Sequence, residues 1–404
     1  MIRFFAYLVC YLLYPFSFLI PRTKEKMAFG SFRGAFNDNS KYLFIYAAES
    51  GLKDHICWLS INKTTVSQIR SLGLPAFSIF SPKGIWWALR SQYWFVNSYT
   101  SDILFCLSGG ATVINLWHGV GLKRCEFNIK SGALAKRYVE HNWREVYYHP
   151  ESFRRPDYLL SSTPFQSTMF ASAFRIPQSR CWEYGYPRNS ILTKPTEEIQ
   201  HFVQRYEPAS TYELIQKCKQ YDKVYIYMPT WRDSQLDVFA QHFDLSTLNA
   251  ILDQQNALLL LKPHANTRVN NTDVYTNILF VDGKTDVYGI LPFTDVLITD
   301  YSSILYDYLL MPGKQVILYL YDYEEYVRDR DFYYPFAENV VGKMVDSFED
   351  LVQTINNKDY LIDENERQRL VDKFWGDTIK LDSCKAIFEK IGAGKTKDRE
   401  RIRR

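Results

Sequence analysis

Three short stretches place reactive side chains where apolar runs end. In the first, Thr112-Val113-Ile114-Asn115-Leu116 leads into Trp117-His118-Gly119-Val120-Gly121-Leu122-Lys123. A histidine followed by glycine at a strand exit can approach a substrate with little steric obstruction. With an unperturbed pKa of roughly 6.5, a neutral imidazole can take a proton from an attacking hydroxyl at cell pH. Taken alone, the motif fits a structural histidine capping the next helix better than a catalytic one.

In the second stretch Leu258-Leu259-Leu260-Leu261 is followed by Lys262-Pro263-His264. Lysine supplies a fixed positive charge, and histidine can donate a hydrogen bond to a phosphoryl oxygen or its leaving group. An ordinary strand end fits these three residues equally well. The third is the most informative: Ile298-Thr299-Asp300-Tyr301-Ser302-Ser303-Ile304-Leu305-Tyr306-Asp307 passes from a buried strand through small hydroxylated residues into a helix. Unbonded N–H groups and the helix dipole make an anion site there, to which serine hydroxyls add donors. Serine as a simple N-cap is the alternative.

The elements that must position these residues alternate between short β-rich runs and helical stretches, the grammar of α/β domains with parallel sheets. Strands are expected over 27–31, 55–60, 102–106, 112–117, 158–161 and 181–186, with helices beginning near Asn39, Pro82 and Thr163. The second half restarts the pattern with strands over 223–228, 257–261, 278–281, 296–299 and 315–319, and helices around 245–253, 287–291 and 302–310. The expected organisation is a membrane-associating segment (1–26), an acceptor-side Rossmann-like domain (27–190), a connection (191–221), a donor-binding Rossmann-like domain (222–392) and a basic tail (393–404). In open α/β sheets ligands lie beyond the carboxyl ends of the strands, where all three stretches fall.

A chain of 404 residues exceeds what one hydrophobic core usually supports, and 47% apolar with 23% charged residues is the balance of a folded globular protein. The net charge of +3 is less than the tail alone contributes, because the last ten residues hold six basic and two acidic side chains. The remainder is close to neutral, which argues against nucleic acid as a partner. Seven scattered cysteines with no Cys-x-x-Cys spacing suggest neither a zinc site nor a disulfide framework. The uncharged run from Phe4 to Ile20, flanked by Arg3 and by Arg22, Lys24 and Lys26, falls short of the roughly 20 apolar residues of a typical span. Its aromatics and basic flanks favour a helix lying in the membrane interface, with a buried helix of the first domain as the alternative.

Together the motifs resemble one family, the CDP-glycerol glycerophosphotransferases, which include primases and polymerases of teichoic acids and related capsules. The resemblance runs from about Gly30 to Trp375. In the first half Gly30-Ser31-Phe32, Asp38-Asn39-Ser40-Lys41-Tyr42-Leu43-Phe44, Trp117-His118-Gly119 with Leu122-Lys123, and Gly185-Tyr186-Pro187-Arg188-Asn189 carry it. In the second half the carriers are Tyr227-Met228-Pro229-Thr230-Trp231-Arg232, Lys262-Pro263-His264 and Thr299-Asp300-Tyr301-Ser302-Ser303.

The resemblance implies a GT-B-type α/β fold, two Rossmann-like domains facing a central cleft. By that resemblance His118 is the base, and His264 a catalytic residue that binds phosphate or serves the leaving group. Arg232, Ser302 and Ser303 hold the diphosphate; Thr230, Lys262, Thr299, Asp300, Asp307 and Arg188 complete the donor-binding set. Gly119 and Lys123 lie on the acceptor side. Two departures are visible: Ser190 stands where the family often has an aspartate after Pro-Arg-Asn, and Arg328-Asp329-Arg330-Asp331 stands where it usually has Arg-Gly.

The implied partners are a CDP-glycerol or CDP-ribitol donor and a polymer or lipid-linked acceptor, at the cytoplasmic face of the bacterial cell membrane. No cofactor is implied; Asp329-Arg330-Asp331 superficially matches an Asp-x-Asp metal motif, but the sequence does not require magnesium. The expected reaction is displacement at phosphorus with release of CMP. A GT-B glycosyltransferase using a nucleotide sugar is the rival reading, and a catalytically silent scaffold is another, disfavoured by the retained His118, His264, Arg232 and serine pair.

Overall fold

The computed structural model describes residues 2–230, 244–262, 275–329 and 331–393. Two compact units emerge. One holds the chain up to Ser190 and again from Trp375 on; the other is Ile191–Phe374.

In the first unit, described strands β1 (Thr23–Phe29), β2 (Ile56–Ser60), β3 (Ala76–Ser78), β4 (Ser91–Val96), β5 (Thr112–Asn115), β6 (Tyr158–Ser161) and β7 (Cys181–Glu183) form one parallel sheet. Its order is β3-β2-β1-β4-β5-β6-β7. In the second, β8 (Lys223–Met228), β9 (Ala257–Leu261), β10 (Ile278–Phe280), β11 (Val296–Thr299), β12 (Gln315–Tyr319) and β13 (Lys343–Val345) run in the order β10-β9-β8-β11-β12-β13, again all parallel. Both orders reverse direction once, between β1 and β4 and between β8 and β11, the crevice where doubly wound sheets hold ligands. Strands such as Ala257–Leu261, buried at every position, read as continuous apolar runs because helices cover both faces of a parallel sheet.

The expected strand over 102–106 is not one. Its apolar residues sit in two 3₁₀ turns, Thr100–Asp102 and Phe105–Leu107, and the place beside β1 is taken by β4, with Met27 opposite Tyr93. β4 follows the helix Pro82–Arg90 directly, with no glycine or proline to mark the change, so the pattern conceals it. The short edge strands β3 and β13 were likewise outside the expectation. The helices expected over 287–291 and 302–310 shrink to the turn Leu291–Phe293 and the five-residue helix Ile304–Tyr308.

Unit boundaries differ from those expected. β1 begins at Thr23, so the strand starts inside the segment assigned to the membrane. Residues 191–221, the expected connection, belong to the second unit: helices Thr196–Tyr206 and Ala209–Cys218 bury Ile199, Val203, Tyr206, Ile215 and Cys218 there. The helix Ser383–Lys390 returns to the first unit, where Phe388 stacks on Tyr46 with ring centroids 6.0 Å apart.

The N-terminal helix Ile2–Ser17 lies against the first unit by one face only. Tyr14 stacks on Phe105 at 4.5 Å, the Tyr11 hydroxyl donates to the Tyr147 carbonyl at 3.2 Å, and the Ser17 hydroxyl accepts from the Gly109 N–H at 2.9 Å. Just beyond it, the Arg22 guanidinium donates to the carbonyls of Ala88, Ser91, Leu107 and Gly109. Arg22 therefore ties the helix end to the fold instead of facing outward as a membrane-flanking charge. The opposite face exposes Phe5, Val9, Leu12, Leu13 and Phe16, and Leu19 is exposed in the turn that follows.

Candidate functional site

His118 stands two residues past β5. Trp117 before it holds φ at +51° and Gly119 after it at +111°, so the chain makes a sharp, strained turn that lifts the imidazole out of the sheet. The Trp117 indole is buried against Phe174, edge to face at 4.8 Å, and forms a floor for the His118 ring at 4.0 Å. The ring surface is exposed although protein crowds its sides.

The loop is fixed from behind. Arg188 donates to the His118 carbonyl at 2.8 Å and pairs with Asp38 at 2.7 Å. The Asn39 amide donates to the Trp117 carbonyl at 2.8 Å, and its oxygen accepts the Arg188 N–H at 3.1 Å. Desolvation holds the imidazole below its ordinary pKa; Asp38 and the neighbouring Asn97 backbone oppose this, while Arg188 and Lys123 reinforce it. The result is an imidazole biased toward its neutral, proton-accepting form, with the Lys123 ammonium in range.

Arg188, expected in the donor-binding set, belongs to these surroundings. It is 7% exposed in the first unit, and its fork is occupied by Asp38 and the His118 carbonyl. Sequence reasoning gave no role to Asp38, Asn39 or Asn97. The first two stood in a quoted motif; Asn97 carried no signal because it follows the strand that went unread.

In the second unit the tips of β8 and β11 meet. Asp300, buried, accepts the Thr230 N–H at 2.9 and 3.0 Å and the Thr230 hydroxyl at 2.6 Å. The Thr299 hydroxyl donates to the Met228 carbonyl at 2.7 Å. Asp307 is fully buried and accepts the Tyr288 hydroxyl. Thr299 and Asp300 thus join the ends of β8 and β11, while Asp307 holds Tyr288 from the helix Ile304–Tyr308. Ser302 and Ser303, partly exposed, are the hydroxyls left at the surface of that tip. The Ser302 hydroxyl makes only a 3.5 Å contact with the Ile304 N–H, and Ser303 makes no side-chain cap.

Lys262, at the end of β9, donates to the Gly283 carbonyl at 2.9 Å; burial lowers its pKa, while Asp286 and Asp282 raise it. His264 and Arg232 lie outside the described residues, as does Arg330 of the Asp-x-Asp stretch. Among the described residues no group of three or more His, Cys, Asp or Glu side chains could hold a metal ion.

The model of the CDP-glycerol:poly(glycerophosphate) glycerophosphotransferase family matches residues 12–386. The chain belongs to that family. It is similar to the teichoic acid glycerol-phosphate transferase of Staphylococcus aureus, 27% identical over 356 residues that cover 86% of this chain and 87% of that protein. It is also similar to the teichoic acid ribitol-phosphate polymerase TarL of Staphylococcus aureus, 30% identical over 257 residues, 61% of this chain and 42% of that one. Among solved structures, the wall teichoic acid polymerase TagF matches with a TM-score of 0.71 at 23% identity, covering 92% of this chain and 90% of that chain. The fold is accordingly of the GT-B class, built from two Rossmann-like units, and the glycerophosphotransferase is an enzyme that acts as a transferase.

Proposed function

We propose that this glycerophosphotransferase moves glycerol phosphate, or the related ribitol phosphate, from a CDP-activated donor to a hydroxyl of a teichoic-acid-like polymer or its lipid-linked primer. The observation that carries the reading is His118: an accessible imidazole, biased neutral, on a strained strand exit in a chain that matches the family across both units. The acceptor oxygen forms a bond to the phosphorus nearest the glycerol, the bond from that phosphorus to CMP breaks, and the acceptor proton passes to His118. CMP leaves with the electron pair. Negative charge grows on the departing phosphate, which hydroxyl and N–H donors at the β11 tip are suited to stabilise. Ser302 and Ser303 supply the hydroxyls, with Lys262, Arg232 and His264 as further donor-side residues.

The acceptor reaches the enzyme at a lipid surface. Supporting this, the outward face of the N-terminal helix is apolar along its length, Trp143 and Trp86 are exposed elsewhere on the first unit, and Arg144 and Arg90 lie 5.3 and 5.6 Å from their rings. Tryptophan beside arginine suits the boundary between acyl chains and anionic headgroups. No described helix is long and apolar enough to cross a membrane. The place of action we assign is the cytoplasmic face of the bacterial membrane, with the enzyme attached peripherally.

Incubating the purified enzyme with CDP-glycerol or CDP-ribitol and a set of acceptors, and following CMP, tests the reaction. Release of CMP dependent on acceptor supports it. Release of UDP or GDP from nucleotide sugars, with CDP-polyols inert, would establish the glycosyltransferase reading instead.

A further inference from the structure

Trp117 holds a backbone conformation that a bulky side chain does not choose for itself, with φ at +51°. Side chains from separate stretches of the first unit keep it there. Asn115, 2% exposed at the last position of β5, accepts the Trp117 N–H on its side-chain oxygen at 2.8 Å and donates from its side-chain nitrogen to the Ser98 carbonyl at 2.7 Å. The Ser98 end of that bridge is itself anchored, because the N–H groups of Asn97 and Ser98 both bond one carboxylate oxygen of buried Asp102 at 2.8 Å. Asn39, fully buried, donates to the Trp117 carbonyl at 2.8 Å, and Arg188 donates to the His118 carbonyl at 2.8 Å. Each peptide unit is planar, so these bonds fix three consecutive planes: 116–117, 117–118 and 118–119. Fixing the planes on both sides of Trp117 and of His118 sets the dihedrals of both residues, and with them the direction in which the His118 side chain leaves the backbone.

We propose that Asn115 and Asn39 are positioning residues for the transfer: together they clamp Trp117 in its left-handed conformation and so seat the His118 imidazole on the indole, with ring centroids 4.0 Å apart, to face the acceptor hydroxyl. The inference rests on the reading of His118 as the base. Without the clamp the chain relaxes to negative φ at Trp117, which turns the peptide joined to His118 and swings the ring off its seat.

The test uses the full-length enzyme and the variants Asn115→Ala and Asn115→Ser. A serine hydroxyl accepts the N–H two residues on as the asparagine oxygen does, though more weakly. Steady-state kinetics separate kcat from the KM for CDP-glycerol, and NMR of the histidine ring, assigned by its loss in His118→Gln, follows the His118 titration. The parent should titrate below roughly 6.5, through desolvation that Arg188 and Lys123 reinforce and that Asp38 and the Asn97 backbone oppose. In Asn115→Ala kcat should fall about 10²-fold with KM within about twofold, the size expected when a reacting group is misplaced by an ångström. Its midpoint should move up toward roughly 6.5 as the ring leaves its crowded seat. Asn115→Ser should recover about tenfold of the lost kcat, as one restored hydrogen bond would give, and part of the midpoint shift. An Asn115→Ala enzyme that keeps the parent's midpoint or the parent's kcat, or whose KM rises as much as its kcat falls, overturns the proposal, and so does a serine variant no better than the alanine one. If Asn115→Ala does not fold, Asn39→Ala, which strips the Trp117 carbonyl of that bond, is held to the same kcat and midpoint readings. Full turnover in His118→Gln would instead remove the base reading, and the midpoint of Asn115→Ala, measured on the resting enzyme, would still decide the clamp.

Discussion

At the tips of β1 and β4 a neutral amide bridges the point where strand order reverses, Asn97 to Ser31; at the tips of β8 and β11 a carboxylate does so, Asp300 to Thr230. The same topology ends in different chemistry. In the first unit the amide is satisfied by Ser40 and Ser31, and Asn115 ties the Ser98 carbonyl next to it to the Trp117 N–H at the head of the histidine loop. In the second, the carboxylate accepts the N–H and hydroxyl of Thr230, and two partly exposed serines stand beside it. The proposed division follows from this difference: the first tip moves protons and the second holds phosphate.

The sharpest way to break this division is to remove the base. His118→Ala should lower turnover by about 10²–10⁴-fold, the usual loss for general-base catalysis, while calorimetry finds CDP-glycerol affinity little changed. A large loss of donor affinity would put His118 on the donor side and dissolve the contrast. On the other side, replacing Ser302 and Ser303 together with Ala should weaken CDP and CDP-glycerol alike. With each charge-assisted bond worth about 1.5–3 kcal/mol, the dissociation constant should rise about 10²-fold or more; an unchanged value in a folded double variant rejects the assignment.

Asp300→Asn is a smaller perturbation, because the amide keeps one oxygen for Thr230. Donor affinity should fall about tenfold through a loosened β8 tip, with turnover at saturating donor near the parent's, as an effect of about 1.4 kcal/mol would give. Equal loss in kcat would show that the second unit also takes part in the chemical step. The pH profile sharpens the other half. Because His118 titrates below its ordinary value and must be neutral to act, kcat/KM should rise with pH through a midpoint below roughly 6.5 and then level off. A midpoint above that value would mean the Asp38 and Asn97 effects outweigh desolvation. The least effect on chemistry belongs to the helix face. Leu12→Gln, Phe16→Gln and Leu19→Gln together should abolish sedimentation with anionic vesicles, yet leave turnover of a soluble acceptor analogue unaltered and stability within about 0.5 kcal/mol per site, as for exposed positions. Retained vesicle binding would place the lipid contact elsewhere.

Much of the second unit was legible. Strands 223–228, 257–261, 296–299 and 315–319 coincide with the described ones, because fully buried parallel strands are apolar runs bounded by polar turns. The first unit was less so: the run 102–106 is as apolar as a strand, yet it is apolar because the N-terminal helix and the β4 layer cover it. Periodicity reports burial, and burial has more than one cause. The N-terminal segment shows the same limit from the other side, since its uncharged run fitted both an interfacial and a buried helix, and the structure packs one face on the first unit and leaves the other exposed.

By itself the amino-acid sequence determined the α/β class, the restart of the pattern that makes two Rossmann-like units, and the motifs that mark the family. These depend on local order, which a chain writes in neighbouring residues. Only the tertiary structure decided that Arg188 serves the histidine loop, that Ser383–Lys390 returns to the first unit, and that Asn115 ties the turn after β4 to the Trp117 N–H. Those are contacts between strand tips far apart in the chain, brought together by sheet order, and no spacing along the sequence records which tips will meet.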